Sequence, residues 1–486
     1  MLDVCLLLEG TYPFVAGGVS TWVSQLIGAM RDLNFGIVFI TSHSDPTRQY
    51  KYEIPENVTY FKEVYLQGHN GERPPARRAH RDDFQTVEKF YSGLEEDRFE
   101  EFFPFISLFQ GENSCLNAPL VFSSEKIWKL LAGFYEKTAP HISFLDYFWN
   151  WRATHLPLLQ ILQCEVPPAK VYHSVSTGYA GLLGAIAKVT RHGSLILTEH
   201  GIYTLERLLE ISQANWIYEE TQRRFKVEQD LSFFKQWWVN LFKSFGKITY
   251  HYSDEIYTLF EGNRSYQILD GANPRRVKVI PNGINIRQFQ NLPRVRKAEP
   301  HIGFVGRVVS IKDVKTFILA AKLCLYQIPE ARFLVLGPYE EEPEYFKECR
   351  NLVESLDLQE RLTFTGRVNI MEYYSFLDLV VLTSLSEAQP FVILEANVCG
   401  IPVVATNVGA CKEMLEGQHA EDAQLGPSGI ITDVVNPEQT AQAMIRLLQD
   451  KMLYQSCAEA GRRRVERYYD EEDLLSKYLN IYERYL

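Results

Sequence analysis

Short apolar segments alternate with amphipathic ones along most of this chain, and no other feature restricts its fold as strongly. Val4–Leu8 reads as a strand, the stretch from about Val19 to Arg31 as a helix, and Gly36–Thr41 as the next strand. The pattern resumes with strand Lys170–Ser174, helix Gly178–Val189 and strand Ser194–Thr198, then the strands Glu255–Thr258 and Lys278–Ile280. A second series follows: strands Ile302–Val305, Arg332–Leu336, Leu362–Thr365, Leu379–Thr383 and Val403–Ala405, separated by helices over 313–326, 343–355, 370–377 and 391–399. Strands that alternate with helices are satisfied by a parallel sheet covered on both faces. The expected fold is therefore α/β, with two doubly wound, Rossmann-like domains and a cleft between the carboxyl ends of their sheets.

With 486 residues the chain exceeds one ordinary core, and two to three domains are expected. The polar, aperiodic stretch 287–299 reads as a linker. It divides an N-terminal domain, 1–286, from a C-terminal domain, 287–465, and the helical end, 466–486, is expected to cross back to the first. The alternation fails over about 45–150, where Arg73-Pro74-Pro75 and Phe102-Phe103-Pro104-Phe105 lie, so this segment reads as an insertion. The segment 205–245 reads as long, helical and aromatic, with Trp216, Trp237 and Trp238.

A net charge of −11 argues against nucleic acid as a partner, although local basic sites can still hold an anion. The eight cysteines form no C-x-x-C pair and several lie in apolar runs, so they read as buried thiols in a reducing compartment. The N-terminus, Met1-Leu2-Asp3-Val4-Cys5, lacks a basic leader, and no apolar run approaches a membrane span. The expected location is the cytoplasm, with docking on a membrane protein left open.

Chemistry-bearing residues gather after strands. Gly306-Arg307 closes one strand and Lys312 stands five residues on; Arg and Lys supply charge-assisted bonds to phosphate oxygens. Glu387 and Glu395 flank the apolar loop containing Pro390, Phe391 and Val392, and Glu395 is expected at a helix N-terminus. Carboxylates at sheet ends suit the hydroxyls of a ribose or hexose, since ligands of α/β folds bind there. Gly17-Gly18 joins the first strand to the first helix and can bring backbone N–H groups close to a ligand. His200 and His173 each end a strand, and His200 is a candidate for positioning a substrate hydroxyl. There is no G-x-G-x-x-G and no P-loop motif, and no His, Cys or acidic spacing that suits a metal.

Together, Glu387-x7-Glu395, Gly400-Ile401-Pro402-Val403-Val404, Gly306-Arg307 with Lys312, and Gly17-Gly18 resemble the family 4 retaining glycosyltransferases of GT-B fold. Within that family, Thr198-Glu199-His200-Gly201-Ile202-Tyr203-Thr204, Glu261-Gly262-Asn263-Arg264 and Ile280-Pro281-Asn282-Gly283-Ile284 resemble the branch that serves Pel exopolysaccharide synthesis. The resemblance implies a UDP-sugar donor, UDP-glucose in that branch, a polysaccharide acceptor and a possible membrane synthase complex. It implies that Arg307 and Lys312 grip the diphosphate, Glu395 the ribose and Glu387 the sugar, with the backbone after Pro390, at Phe391 and Val392, near sugar and phosphate. The base would lie by Gly366, Arg367 and Val368; His200 would touch the sugar, and Gly17 and Gly18 the phosphate or acceptor. Neither a metal nor a cofactor is expected. One departure stands out: where many members read Glu-Gly-Phe-Gly, this chain reads Glu387-Ala388-Gln389-Pro390. Two other readings compete, a non-catalytic nucleotide-sugar-binding subunit of a synthase and a GT-B nucleotide-sugar epimerase.

Overall fold

The computed structural model describes residues 1–68, 74–213, 232–290, 292–295 and 297–486. The readings placed on Arg73 and Trp216 lie outside them. The chain divides into two compact units. The first comprises Met1–Thr258, Arg264–Lys278 and Tyr478–Leu486; the second comprises Leu259–Asn263 and Val279–Lys477.

The first unit is built on seven strands: β1 Leu2–Glu9, β2 Phe35–Thr41, β3 Val58–Tyr65, β4 Ala169–Ser174, β5 Ser194–Glu199, β6 Glu255–Thr258 and β7 Val277–Val279. Their order is β3-β2-β1-β4-β5-β6-β7, and the ladders from β3 through β6 are parallel. Val4 to Leu8 are wholly buried, as expected of a central parallel strand that has helices on both faces. Strand β3 lies inside the segment read from the sequence as an insertion. Its residues Val-Thr-Tyr-Phe-Lys-Glu-Val-Tyr are mixed in polarity because most keep some exposure, so no apolar run marks them. The insertion therefore begins after β3 and fills the crossover to β4. It is helical and aromatic: Phe90 stacks on Phe105 at 4.0 Å, and helix Phe144–Leu162 buries Tyr147 and Trp151.

The second unit carries β8 His301–Val305, β9 Arg332–Leu336, β10 Leu362–Gly366, β11 Leu379–Leu382, β12 Val403–Thr406 and β13 Gly429–Thr432. All are parallel, in the order β10-β9-β8-β11-β12-β13. Strand β13 was not legible in the sequence, because four residues behind Pro427-Ser428 are too short to show a period. Residues 279–286 and 466–477 group with this unit, whereas the sequence reading gave them to the first domain and the crossing tail. The cause is local bonding: Ile284 N donates to Tyr469 O at 2.9 Å, and fully buried Tyr469 belongs to this unit's core.

No helix among the described residues is long and apolar enough to cross a membrane. All eight cysteines are free and buried, as their apolar surroundings predict.

One buried ion pair braces the second unit. Arg464 Nε donates to Asp422 Oδ1 at 2.7 Å, with both side chains essentially inaccessible. The same guanidinium bonds the carbonyls of Leu415 and Gly426, each at 2.8 Å. Removing one partner strands a charge in the core, which typically costs about 3–5 kcal/mol. Asp422→Ala should therefore lower stability in urea by that amount. Arg464→Met in the same chain should restore part of it, and a loss below about 1 kcal/mol in the single variant would contradict the assignment.

Candidate functional site

In the second sheet the chain leaves β8 towards β9 on one side, and β11 joins it on the other. This reversal makes the carboxyl edge between β8 and β11 the topological switch point, where open α/β sheets leave a crevice for ligands. The loop after β8 and the loop after β11 supply the residues singled out from sequence.

The β8 loop is held close to the end of β9. Gly306 N donates to Leu336 O at 3.0 Å and Val308 N to Pro338 O at 2.9 Å. A Cβ on Gly337 would lie 2.1 Å from Gly306 O, so only glycine permits this approach. Gly337 N in turn donates to Gly366 O at 3.1 Å, and Gly366 takes a φ of +69°. Gly366, Arg367 and Val368 thus sit at the end of β10, next to the end of β9. Arg367 is exposed there.

A 3-10 turn, Ser310–Lys312, carries the lysine. Asp313 follows with a φ of 44° and caps helix Val314–Leu325, accepting from Thr316 N at 3.3 Å and Thr316 Oγ1 at 2.6 Å. The β11 loop is bound to this turn by Thr383 Oγ1 donating to Asp313 O at 2.8 Å and Leu385 N to Ile311 O at 2.8 Å. Lys312 Nζ therefore meets Glu387 Oε1, which also accepts from Ser384 Oγ at 2.6 Å. Lys312 and Glu387 are only 20% and 11% exposed, so their attraction is less screened than that of a surface pair.

Glu395 lies elsewhere in the local structure than expected. Helix Phe391–Val398 starts after Pro390, which serves as its N-cap, so Glu395 is in the second turn and not at the N-terminus. The cause is Pro390, whose fixed φ and missing N–H suit a helix start. Tyr374 OH donates to Glu395 Oε2 at 2.7 Å, and burial pushes its carboxyl above the usual range. Glu387 and the helix bearing Glu395 thus share one loop, as the spacing suggests.

Gln389 is the residue whose role the sequence concealed. Its Oε1 accepts from Asn282 N at 2.7 Å and its Nε2 donates to Asn282 O at 3.2 Å, so the side chain imitates a strand partner. Ala410 N donates to Ala388 O at 2.8 Å. Two further acids were also missed. Glu341 accepts from Arg307 Nη1 at 2.5 and 2.6 Å, and Glu342 accepts from Ser310 N at 2.9 Å. The run Glu340-Glu341-Glu342, shortly after the Gly337-Pro338 that follows a strand, was the available signal.

In the first unit, Gly17 is the extended N-cap of helix Gly18–Ala29, and a Cβ built on it meets nothing within 4 Å. The chain's own packing thus makes no demand for glycine at this point. Trp22 of that helix contacts the rings of His200, at 4.9 Å, and His173, at 5.7 Å. His173 is wholly internal, with Tyr482 OH 2.6 Å from Nδ1 and Thr198 Oγ1 2.8 Å from Nε2, so its role is structural. His200 follows β5 and is also buried; burial pushes its pKa down to about 4, leaving a neutral ring near pH 7.

A cavity of about 560 Å³ lies under the insertion and not at these strand ends. Its wall is mostly aromatic and aliphatic, Phe90, Phe105, Trp151 and Trp237 among them, which suits neither a diphosphate nor a sugar. The chemistry therefore points to the strand ends.

Comparison with known proteins identifies the family and the fold. Residues 2–275 match the family described as a domain of unknown function, DUF3492, and residues 286–464 match glycosyl transferases group 1. Among curated relatives, N-acetyl-alpha-D-glucosaminyl L-malate synthase of Bacillus anthracis is 27% identical over 230 residues, covering 47% of this chain and 56% of that protein. D-inositol 3-phosphate glycosyltransferase of Paenarthrobacter aurescens is 28% identical over 193 residues, covering 37% and 45%. The chain thus spans about half the length of the curated relatives it matches. Sucrose-phosphate synthase from Thermosynechococcus elongatus superposes with a TM-score of 0.59 at 18% identity, covering 99% of this chain and 98% of that one. Anabaena HepE in complex with UDP does so with 0.58 at 15%, covering 99% of each. At these identities the structures show the fold, which is that of the GT-B glycosyltransferases.

The Arg307–Glu341 pair yields a test that needs no knowledge of the sugar. Both side chains are about half-exposed, and such pairs contribute about 0.2–1 kcal/mol. An anion that uses Arg307 must displace Glu341. Glu341→Gln should therefore tighten UDP binding by up to about fivefold in calorimetry. Weaker binding would show that Glu341 supports the site and does not compete with the ligand.

Proposed function

The chain belongs to the DUF3492 family and carries a group 1 glycosyl transferase region behind that domain, and from this premise we propose that it is a retaining glycosyltransferase. In this reading it moves a hexose from a UDP-sugar, UDP-glucose, to a growing exopolysaccharide of the Pel type, as the PelF enzymes do. It works at the cytoplasmic face of a membrane synthase complex. The observation that supports it most is the Lys312–Glu387 pair at the switch point, with Arg307 on the same β8 loop. Cations and a carboxylate placed this way serve the two halves of a nucleotide-sugar, the diphosphate and the hydroxyl-bearing ring. The neighbouring HepE structures, which hold UDP and UDP-glucose, are consistent with that class of ligand.

The chemistry follows from charge. Breaking the bond between sugar and diphosphate leaves negative charge on the departing phosphate oxygens. Arg307 and Lys312 stabilise that charge as it develops, which lowers the barrier more than it tightens ground-state binding. Donor binding loosens Lys312 from Glu387: the ammonium turns to phosphate, and the carboxylate accepts hydroxyls of the sugar. Glu395, with its second oxygen held by Tyr374, takes the ribose hydroxyls. The backbone from Pro390 to Val392 lies along sugar and phosphate, and Gly366, Arg367 and Val368 border the base. In the first unit His200 contacts the sugar as a neutral ring, and Gly17 and Gly18 admit phosphate or acceptor. The acceptor hydroxyl attacks from the face the diphosphate leaves, and the leaving oxygen takes its proton. This route retains configuration and calls for neither a protein nucleophile nor a divalent metal.

Calorimetry and turnover assays divide these roles. Arg307→Ala should weaken UDP binding by at least about 1.5 kcal/mol, the scale of a charged hydrogen bond. Unchanged affinity sinks the phosphate assignment. Glu387→Ala should abolish transfer while largely sparing UDP affinity, and an equal loss of both would show that Glu387 is not a sugar contact. Chelator should leave turnover intact. A screen of UDP-, GDP- and ADP-sugars then identifies the donor.

A further inference from the structure

Immediately before His200 stands an acid that the proposed chemistry does not use. Glu199 is 1% exposed, and each of its carboxylate oxygens accepts two hydrogen bonds. Oε1 accepts from Thr177 Oγ1 and from Tyr203 N, each at 3.0 Å. Oε2 accepts from Tyr250 OH at 2.8 Å and from Gln267 Nε2 at 2.9 Å. Its own carbonyl accepts from Thr258 Oγ1 at 3.1 Å. The four donors, three side chains and one backbone N–H, come from four separate pieces of chain: the loop after β4, the first residue of helix Tyr203–Gln213, helix Phe233–Tyr252 and helix Glu261–Leu269.

This arrangement exceeds what a core needs. Four donors fill the acceptor sites of an ionised carboxylate, and among the described residues no Lys or Arg forms an ion pair with Glu199. Burial pushes its carboxyl above the usual range, and the bonds from Gln267, Tyr203, Tyr250 and Thr177 oppose that shift. A position that only filled space would be occupied at lower cost by an apolar residue. What the carboxylate fixes is the turn that begins with His200. The His200 ring packs against Trp22 at one end of a turn whose other end, Tyr203 N, is tied to Glu199.

We propose that Glu199 is a positioning residue for sugar transfer, setting the placement of the His200 ring through the four groups that converge on its carboxylate. The inference rests on the donor-sugar role given to His200 above. Glu199→Gln keeps the shape but turns an amide N–H₂ towards two donors, which shifts the turn. It should lower kcat at least tenfold, with UDP affinity within twofold of wild type and a folded circular dichroism spectrum. Because Glu199 acts through His200, Glu199→Gln combined with His200→Ala should be no slower than His200→Ala alone. Tyr250→Phe removes one donor at little cost in packing and should lower kcat several-fold, which keeps the test open where Glu199→Gln fails to fold. Wild-type kcat in both Glu199→Gln and Tyr250→Phe, or additive losses in the double variant, overturns the positioning role. Absence of UDP-sugar turnover by the unaltered chain overturns the glycosyl-transfer reading instead, so the two failures are distinct.

Discussion

The contact between Lys312 and Glu387 is the interaction on which the second unit's candidate site depends. It exists because two loops leave neighbouring strands, β8 and β11, at the one edge where the sheet order reverses. Hydrogen bonds from Thr383 and Leu385 bring the loops together before any side-chain charge is considered. The ammonium and carboxylate then meet in a partly dry place, where each limits the cost of burying the other. Backbone topology thus creates an electrostatic arrangement that neither loop could hold alone.

The two cations of the β8 loop that the sequence singled out are each matched by an acid. Lys312 faces Glu387 and Arg307 faces Glu341, while Glu342 occupies the Ser310 N–H. The balance suits a chain of net charge −11 that, in the proposed reading, must still bind an anion. Isolated basic groups would attract any polyanion, whereas paired ones answer only to a ligand that engages several at once. Selectivity then arises from the sum of exchanges, in keeping with the small worth of any single exposed pair.

The alternation of strands and helices made both sheets legible, because buried parallel strands such as β1 leave unbroken apolar runs. Of the edge strands, β7 and β10 were legible, but β3, which keeps polar residues on partly exposed positions, and β13, which is four residues long, were not. Arg307, Lys312, Glu387 and His200 stand out in the sequence because each lies in a segment that follows a strand. The partners that hold them do not. Glu341 comes from another strand end, and the donors to Glu199 come from residues as far apart in sequence as Thr177 and Gln267. Long-range side-chain pairing leaves no period to read. The helix start was misplaced for a different reason, since Glu395 resembles a capping acid while Pro390 fixes the true beginning.

The departure Glu387-Ala388-Gln389-Pro390 takes on a physical meaning in this setting. A glycine-rich loop owes its shape to whatever it binds; this one is held by its own chain. Gln389 brackets the backbone of Asn282, Ala388 O is bonded by Ala410 N, and Gly409, with a φ of +52°, lies so close that a Cβ would stand 2.1 Å from Glu387 O. Ala388 and Pro390 also restrict the unfolded loop relative to glycine, so less entropy is lost when it orders. Glu387 consequently stands on a preformed loop, and in the proposed reading its carboxylate is the member left to exchange partners when Lys312 turns to phosphate. In the proposed reading, discrimination among sugars at this place falls to one carboxylate on a rigid support, which favours ligands whose hydroxyls reach it without any movement of the backbone.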